Sequence, residues 1–348
     1  MRVVVTGATG NVGTSVLSAL AREQAVETVV GIARRKPDVS YPKTHWVEAD
    51  IVRADLAPHF RGADAVMHLA WLIQPSRRPA DLWAVNVHGS TRVFEAAKRA
   101  GAGVLVYASS VGAYALGPKD RAVDESWPAT GIATSTYSRH KAEVERRLDD
   151  FEVSAPGMRV VRLRPALIFK RDAASEIRRL FLGPLAPASL LGNRAVPLVP
   201  DIEALRFQAV HSLDAGEAYR QALVRPVRGA FNIAADGVLG PGELATLLRA
   251  RRVPLSAGLL RSAMTLTWRA RLQPAEPGWL DIGLQTPIME TARARTDLGW
   301  RPSMSAADAV GELLEGLRAG AGGGTPPLAQ RAGGRLRWRE LATRAGSR

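Results

Sequence analysis

The sequence predicts an α/β protein: a doubly wound parallel sheet with a second, smaller and discontinuous unit. Two observations carry this. Short apolar segments alternate with amphipathic helical ones through the first half of the 348-residue chain, the rhythm of βαβ units. Three glycines, Gly7, Gly10 and Gly13, fall between the first apolar segment and the first helical one, where a phosphate-binding turn belongs.

The elements follow in order. Residues 2–6 read as a strand and 11–22 as a helix. Residues 26–33, 45–49 and 65–69 are three further strands, and 80–100 is a helix stopped by Gly101. A strand at 104–109, a helix at 135–150 and a strand at 158–163 complete the alternation. After Arg164 the rhythm breaks, and residues 165–205 carry scattered Pro and Gly. A strand at 207–211, a helix at 213–224 and a strand at 230–234 follow, then helices at 242–251 and 306–318. From Ala319 the run AGAGGGTPPLAQRAGG has linker composition. Residues 319–348 are therefore expected to be a flexible basic tail, with Leu336, Trp338 and Leu341 able to dock only weakly. The expected units are residues 1–164 with 206–240 for dinucleotide binding, and 165–205 with 241–318 for substrate. The site lies in the cleft between them.

Composition narrows the function. A net charge of +14 raises nucleic acid as a partner. The excess is nearly all arginine, with only six lysines, and no RNA-binding, zinc-finger or basic-zipper pattern accompanies it. Specific nucleic-acid binding is not expected. With no cysteine there is no disulfide framework and no thiolate metal site, and no metal is expected. No apolar run reaches the roughly 18 residues of a membrane span, and the first strand lacks signal-peptide flanks. The expectation is a cytoplasmic protein without a membrane partner.

In a dinucleotide-binding turn one glycine allows the bend, one lets backbone approach the pyrophosphate, and one lets helix and strand pack closely. The end of the second strand selects the cofactor. An acidic residue there suits the ribose hydroxyls of NAD; arginine suits a 2′-phosphate. The chain reads VVGIARRK, with Ala33 where the acid would stand and Arg34 and Arg35 after it. NADP(H) is favoured, with NAD(H) as the alternative.

Tyr137 and Lys141 are four apart in a helical segment and share a face. A cation about 6 Å from a phenol, at an effective dielectric near 20, contributes about 3 kcal/mol, or roughly two pKa units. Lys141 is thus expected to bring Tyr137 toward neutral pH as a general acid/base. Ser109 and Ser110 end the fifth strand, at the carboxyl edge where such sheets bind ligands, and a hydroxyl there can stabilise charge on a reacting oxygen.

The spacing Thr6-Gly7-Ala8-Thr9-Gly10-Asn11-Val12-Gly13 resembles the extended branch of the short-chain dehydrogenase/reductases, also called the NAD-dependent epimerase/dehydratase family. The resemblance continues through Asp50-Ile51, DAVMHLAW, NVHGSTRVFEAAKRAG, YASSVGAY, YSRHK, Arg164-Pro165 and DLGWRP, covering residues 1 to about 318. It implies a Rossmann-like domain with Tyr137 as general acid/base, Lys141 also on the nicotinamide ribose, and Ser110 as the catalytic hydroxyl. It further implies cofactor contacts from Gly7, Gly10, Asn11, Val12 and Gly13, from Asp50 and Ile51, from Leu69, Ala70 and Trp71, and from Asn86, Ser109 and Pro165. A homodimer is implied by the same analogy.

The departures point away from sugars. Dehydratases and decarboxylases of the family tend to carry a carboxylate after the catalytic hydroxyl, where this chain has Val111 and Gly112. Nucleotide-sugar members usually have an asparagine shortly after the arginine; here the run is Arg164-Pro165-Ala166-Leu167-Ile168-Phe169. Arg178 and Arg179 in the following insert are read as helix-surface charge or as phosphate binders. The main expectation is hydride transfer between a nicotinamide and a carbonyl or alcohol carbon of a small molecule. The alternatives are a nucleotide-sugar 4-epimerase that retains NAD, and a non-catalytic NADP-sensing protein, a class that tends to lose the Tyr–Lys pair kept here.

Overall fold

The computed structural model describes residues 1–74, 76–182 and 198–330. Seven parallel strands form one sheet: β1 (Arg2–Thr6), β2 (Thr28–Ala33), β3 (Thr44–Glu48), β4 (Ala65–His68), β5 (Val104–Ala108), β6 (Arg159–Pro165) and β7 (Gly229–Ile233). Their order across the sheet is β7-β6-β5-β4-β1-β2-β3. The order reverses between β1 and β4, so the loops after those two strands open a crevice at the carboxyl edge. The fold is Rossmann-like.

Both faces of the sheet are covered, which is why its strands are apolar on both sides. One face carries α1 (Asn11–Arg22) and the helix Ser212–Val224, around Val3, Val5, Leu17, Leu20 and Phe231. Gly216 lets these two helices touch: a Cβ there would stand 2.7 Å from the Ser15 backbone. The other face carries α2 (Ser90–Arg99) and α3 (Thr136–Ser154), around Val4, Val66, Phe94, Leu105 and Leu148. The expected helix over 80–100 is a continuous helical run broken in register by a π-turn, Ala84–Gly89.

The last helix, α4 (Ala306–Ala319), packs on the insert, where Leu313 and Leu317 meet Ala174 and Ile177, while its Ala306 and Val310 join the apolar cluster of β1 and α1 together with Ala294, Leu298 and Trp300. One expectation needs correction: the linker-like residues 321–330 are not a free tail. Thr325 and Leu328 are 1% and 2% exposed, and Thr325 Oγ1 donates to the carbonyl of Thr9 in the glycine loop at 2.7 Å. Gly322 and Gly323 have no space for a side chain, so their glycine content reflects close packing as well as freedom. Residues 331–348, with Leu336, Trp338 and Leu341, lie outside the described residues, as do 183–197 of the insert.

Candidate active site

The three glycines do three different things. Gly7 has φ +71°, and a Cβ on it would stand 2.6 Å from the backbone nitrogen of Ala70, after β4. At Gly13 a Cβ would strike the carbonyl of Gly7 and stand 2.6 Å from Ala8, so this glycine lets α1 sit on β1. Gly10 caps α1 without a side-chain hydrogen bond, and its nearest neighbour to an added Cβ is at an ordinary 3.6 Å. Nothing within the protein demands glycine there. The helix N-terminus with its partial positive charge lies behind it.

A cavity of about 250 Å³ opens over this loop. Gly7 and Gly10 form its floor, and Arg34 and Arg35, both exposed, flank it after the buried Ala33 that ends β2. Asp50, Ile51, Leu69, Ala70 and Trp71 also line it. Asp50 Oδ1 accepts from the Val52 amide, which shapes its turn. Asn86 is bound at both ends to Leu72, accepting from its amide at 2.7 Å and donating to its carbonyl at 2.8 Å. It sets the wall that follows β4 and offers no free amide. The π-turn that carries it is a small departure from helical register of the kind often found at functional sites. Asn11 ties its Nδ2 to the Ile168 carbonyl, Val12 packs against the sheet core, and Pro165 closes β6 in register with Ile233. These three are fold contacts.

Tyr137 and Lys141 stand one turn apart on α3, whose N-terminus is capped by Ser135. Ser110, just past β5, hydrogen-bonds the Tyr137 phenol and accepts from the Gly112 amide at 3.0 Å. Gly112 is needed for this approach, because a Cβ would lie 2.9 Å from the Tyr137 ring. Burial pushes the phenol up to about 12, opposed only in part by Ser110. The expected lowering by Lys141 is corrected. Lys141 is itself buried, which holds its ammonium well below its usual range. Its Nζ donates to the Ala108 carbonyl at 2.6 Å and lies 3.5 Å from the Trp71 ring centre, 5.8 Å from that of Tyr137. Aromatic rings close around Tyr137. Trp279 is 4.7 Å and Trp71 5.8 Å away, centre to centre, and Phe181 packs on Trp279 at 5.0 Å.

Ser109 is turned elsewhere. Its hydroxyl donates to Glu145 at 2.5 Å, into a buried ion-pair network rather than toward the cleft. Glu145 takes two bonds from Arg164, each at 2.9 Å, and pairs with Arg162. Burial raises its carboxyl, but Arg164, Arg162 and Ser109 outweigh this and hold it at about 2. Arg164 of the Arg-Pro pair thus anchors α3 to β6. His68, beneath the same region, bridges Thr6 and Ser90, and burial followed by the Lys141 charge takes it down to about 3, so it is neutral.

A model of the NAD dependent epimerase/dehydratase family matches residues 3–234. The chain belongs to the NAD dependent epimerase/dehydratase family. The glycine loop, the Tyr–Lys pair and the Arg-Pro pair all lie within the matched residues of that epimerase/dehydratase family. An uncharacterised protein of Mycobacterium tuberculosis is 29% identical over 321 residues, 91% of this chain, which spans only 30% of that relative's length. A 3-beta-hydroxysteroid dehydrogenase of Mycolicibacterium neoaurum is 25% identical and a UDP-glucose 4-epimerase of Azospirillum brasilense 27% identical, each with about nine-tenths of both chains covered. The solved Thermus thermophilus UDP-glucose 4-epimerase in complex with NAD superposes with a TM-score of 0.67 at 21% identity, over 91% of this chain and 99% of that one, which shows the shared fold.

Some residues of this epimerase/dehydratase fold were not legible in the sequence. Trp279 and Phe181 come from less regular segments far from Tyr137 in the chain. Glu176, Arg179, Pro326 and Pro327 form the far wall of the cavity. Glu176 accepts from the Asn11 amide, and burial raises its carboxyl to about 7 against the pull of Arg179 and Lys170. Of these, only Arg179 carried a signal, as a cation in the insert.

Proposed function

We propose that the protein is an NADP(H)-preferring oxidoreductase acting on a carbonyl or alcohol carbon of an apolar small molecule. The observation that carries this is Tyr137, set beside Ser110 and packed against Trp71 and Trp279, with Phe181 behind Trp279, next to the cleft over the glycine loop. The residues fit a dinucleotide. Gly10 leaves open the approach to the α1 N-terminus, where the Glu176 carboxyl stands at the Asn11 amide, and the Trp71 indole nitrogen in the same wall is buried with no hydrogen-bond partner among the described residues. When bound, a nicotinamide supplies or accepts the hydride.

The protein's own groups handle the rest. With its pKa near 12 the Tyr137 phenol is protonated at neutral pH, so it donates to the carbonyl oxygen in the reduction direction. The Ser110 hydroxyl holds the same oxygen and fixes its distance to the phenol. Lys141, one turn along α3, holds the Ala108 carbonyl at the end of β5 and so fixes the strand end that carries Ser110. The rings of Trp71 and Trp279 stand against Tyr137 and suit a ring or alkyl group, and the run Ala166-Leu167-Ile168-Phe169 after Arg164-Pro165 carries no asparagine for sugar hydroxyls. Arg34 and Arg35, with no acid at Ala33, favour the 2′-phosphate. The epimerase relative supports a second reading, a nucleotide-sugar 4-epimerase with retained NAD.

A thermal-shift screen with NAD, NADP and their reduced forms tests the cofactor, since a ligand of the native state raises apparent stability. Wild type should bind NADPH about ten- to a hundredfold more tightly than NADH, the worth of one charge-assisted bond. The double variant Arg34→Ala with Arg35→Ala should lose most of that gap. Apolar ketones and UDP-glucose are then compared as substrates. Interconversion of UDP-glucose and UDP-galactose, with NAD retained through purification, would replace the first reading with the second.

A further inference from the structure

The segment after α4 forms part of the far wall of the dinucleotide cavity, although its composition is that of a linker. It is fixed at three places. Ala321 accepts from both the amide and the hydroxyl of Ser175 at the start of the insert helix. Thr325, fully buried, donates to the Thr9 carbonyl between Gly7 and Gly10. Arg179 donates to the carbonyls of Pro327 and Ala329, at 2.9 Å for the latter. Between these points Pro326 and Pro327 face the same cavity as Gly10, Arg34 and Arg35. On the opposite side Gly324 sits against Val39, in the loop that continues from the two arginines. The insert helix, this segment and the loop after β2 therefore form a ring around the cavity.

We propose that residues 321–330 are a strap that completes the dinucleotide site and governs exchange of the cofactor, lifting from the glycine loop and from Val39 to admit it and closing over its phosphates with Arg179 as the clamp. This rests on the dinucleotide reading above. The chemistry of the ring suits the ligand. Two prolines present a rigid apolar edge, and Arg179, Arg34 and Arg35 outnumber the carboxylates that line the cavity, Asp50 and Glu176, the latter held partly protonated by burial, at about 7. Thr325 bonds a backbone carbonyl of the glycine loop, so this bond breaks when the strap lifts and re-forms when it closes. A cofactor held beneath such a strap exchanges slowly, independent of its affinity for the turn alone.

The test exploits the absence of cysteine from the chain. A Cβ built on Gly324 lies 3.9 Å from Val39 Cβ, within the span of a disulfide. The full-length double variant Val39→Cys with Gly324→Cys is loaded with NADPH, oxidised, and chased with excess NADP while NADPH fluorescence is followed. Release should be at least tenfold slower in the oxidised than in the reduced protein, and loading after oxidation should slow likewise. Equal rates in the two redox states would overturn the strap. If thiol titration shows that no disulfide forms, Thr325→Val decides. It keeps the shape and loses the bond to Thr9, so release should accelerate about two- to tenfold, the worth of one hydrogen bond, and an unchanged rate would overturn the proposal. A wild-type protein that binds neither NADPH nor NADH would instead sink the dinucleotide reading itself.

Discussion

Removing the phenolic hydroxyl of Tyr137 isolates its proton from its packing. Tyr137→Phe should cut turnover on an established substrate by about 10²–10⁴-fold while leaving dinucleotide affinity nearly intact, because the ring contacts with Trp71 and Trp279 persist. Single-turnover rates and cofactor titration on the same variant separate the two, and wild-type turnover would remove Tyr137 from the chemistry. Glu145 gives a second prediction. Its carboxyl is held at about 2, below its unfolded value, so it stabilises the fold fully above about pH 4.5 and loses that effect as pH falls through 2. Glu145→Gln leaves Arg164 buried without its anion, while Arg162 keeps Asp149 and Glu152, and the change costs about 3–5 kcal/mol near neutrality. Urea midpoints at pH 7 and pH 2.5 should show the gap to wild type narrowing in acid; a constant gap would contradict this account. At this scale the juxtaposition of Tyr137 and Lys141 was legible in the sequence because four-residue helical spacing fixes a shared face. The lowering of Tyr137 by Lys141 was not borne out. Spacing says nothing of how deeply both groups are buried, and burial dominates each shift.

The glycine loop and α3 are the elements that make the site. Gly13→Ala places a methyl against Ala8 and Gly7 and should cost about 1–3 kcal/mol of stability, as overpacking does. Gly10→Ala has room and should cost less than about 1 kcal/mol, while weakening dinucleotide binding markedly. Melting temperatures without ligand, set beside NADPH titrations, test the contrast. Loss of stability at both positions with unchanged binding would show that Gly10 serves packing only. Strand and helix identities were legible because period-two and 3.6-residue patterns are local; most boundaries shifted by a residue or two, while α3 runs on to Ser154 and the helix expected at 242–251 is Pro241–Leu248. The π-turn at Ala84–Gly89 was not. Its register is set by packing: Gly89 lies against Ile51, where a Cβ would stand 2.9 Å away, and Asn86 is bound to Leu72. No local pattern announces those contacts.

For the molecule as a whole, the decisive change is at its last described segment. Deleting residues 321–348 exposes the pocket that holds Leu328 and removes the Thr325 anchor, and burial of one such side chain is worth about 1.5–3 kcal/mol. The melting temperature should fall by roughly 5 °C or more, whereas deleting only 331–348 should leave the strap in place. Equal melting temperatures for the two truncations would mean that the segment does not dock. By itself the sequence determined the parallel sheet, the dinucleotide turn, the Tyr–Lys helix and the two arginines after β2, because each is written in residues close together in the chain. Tertiary structure alone decided that Ser109 and Arg164 serve a buried carboxylate, that Trp279 and Phe181 wall the tyrosine, and that the Gly-Pro run after α4 lies over the glycine loop. Those outcomes depend on contacts between residues tens to hundreds apart. The free energy that selects them comes from burial and hydrogen bonds formed only once the sheet has brought them together.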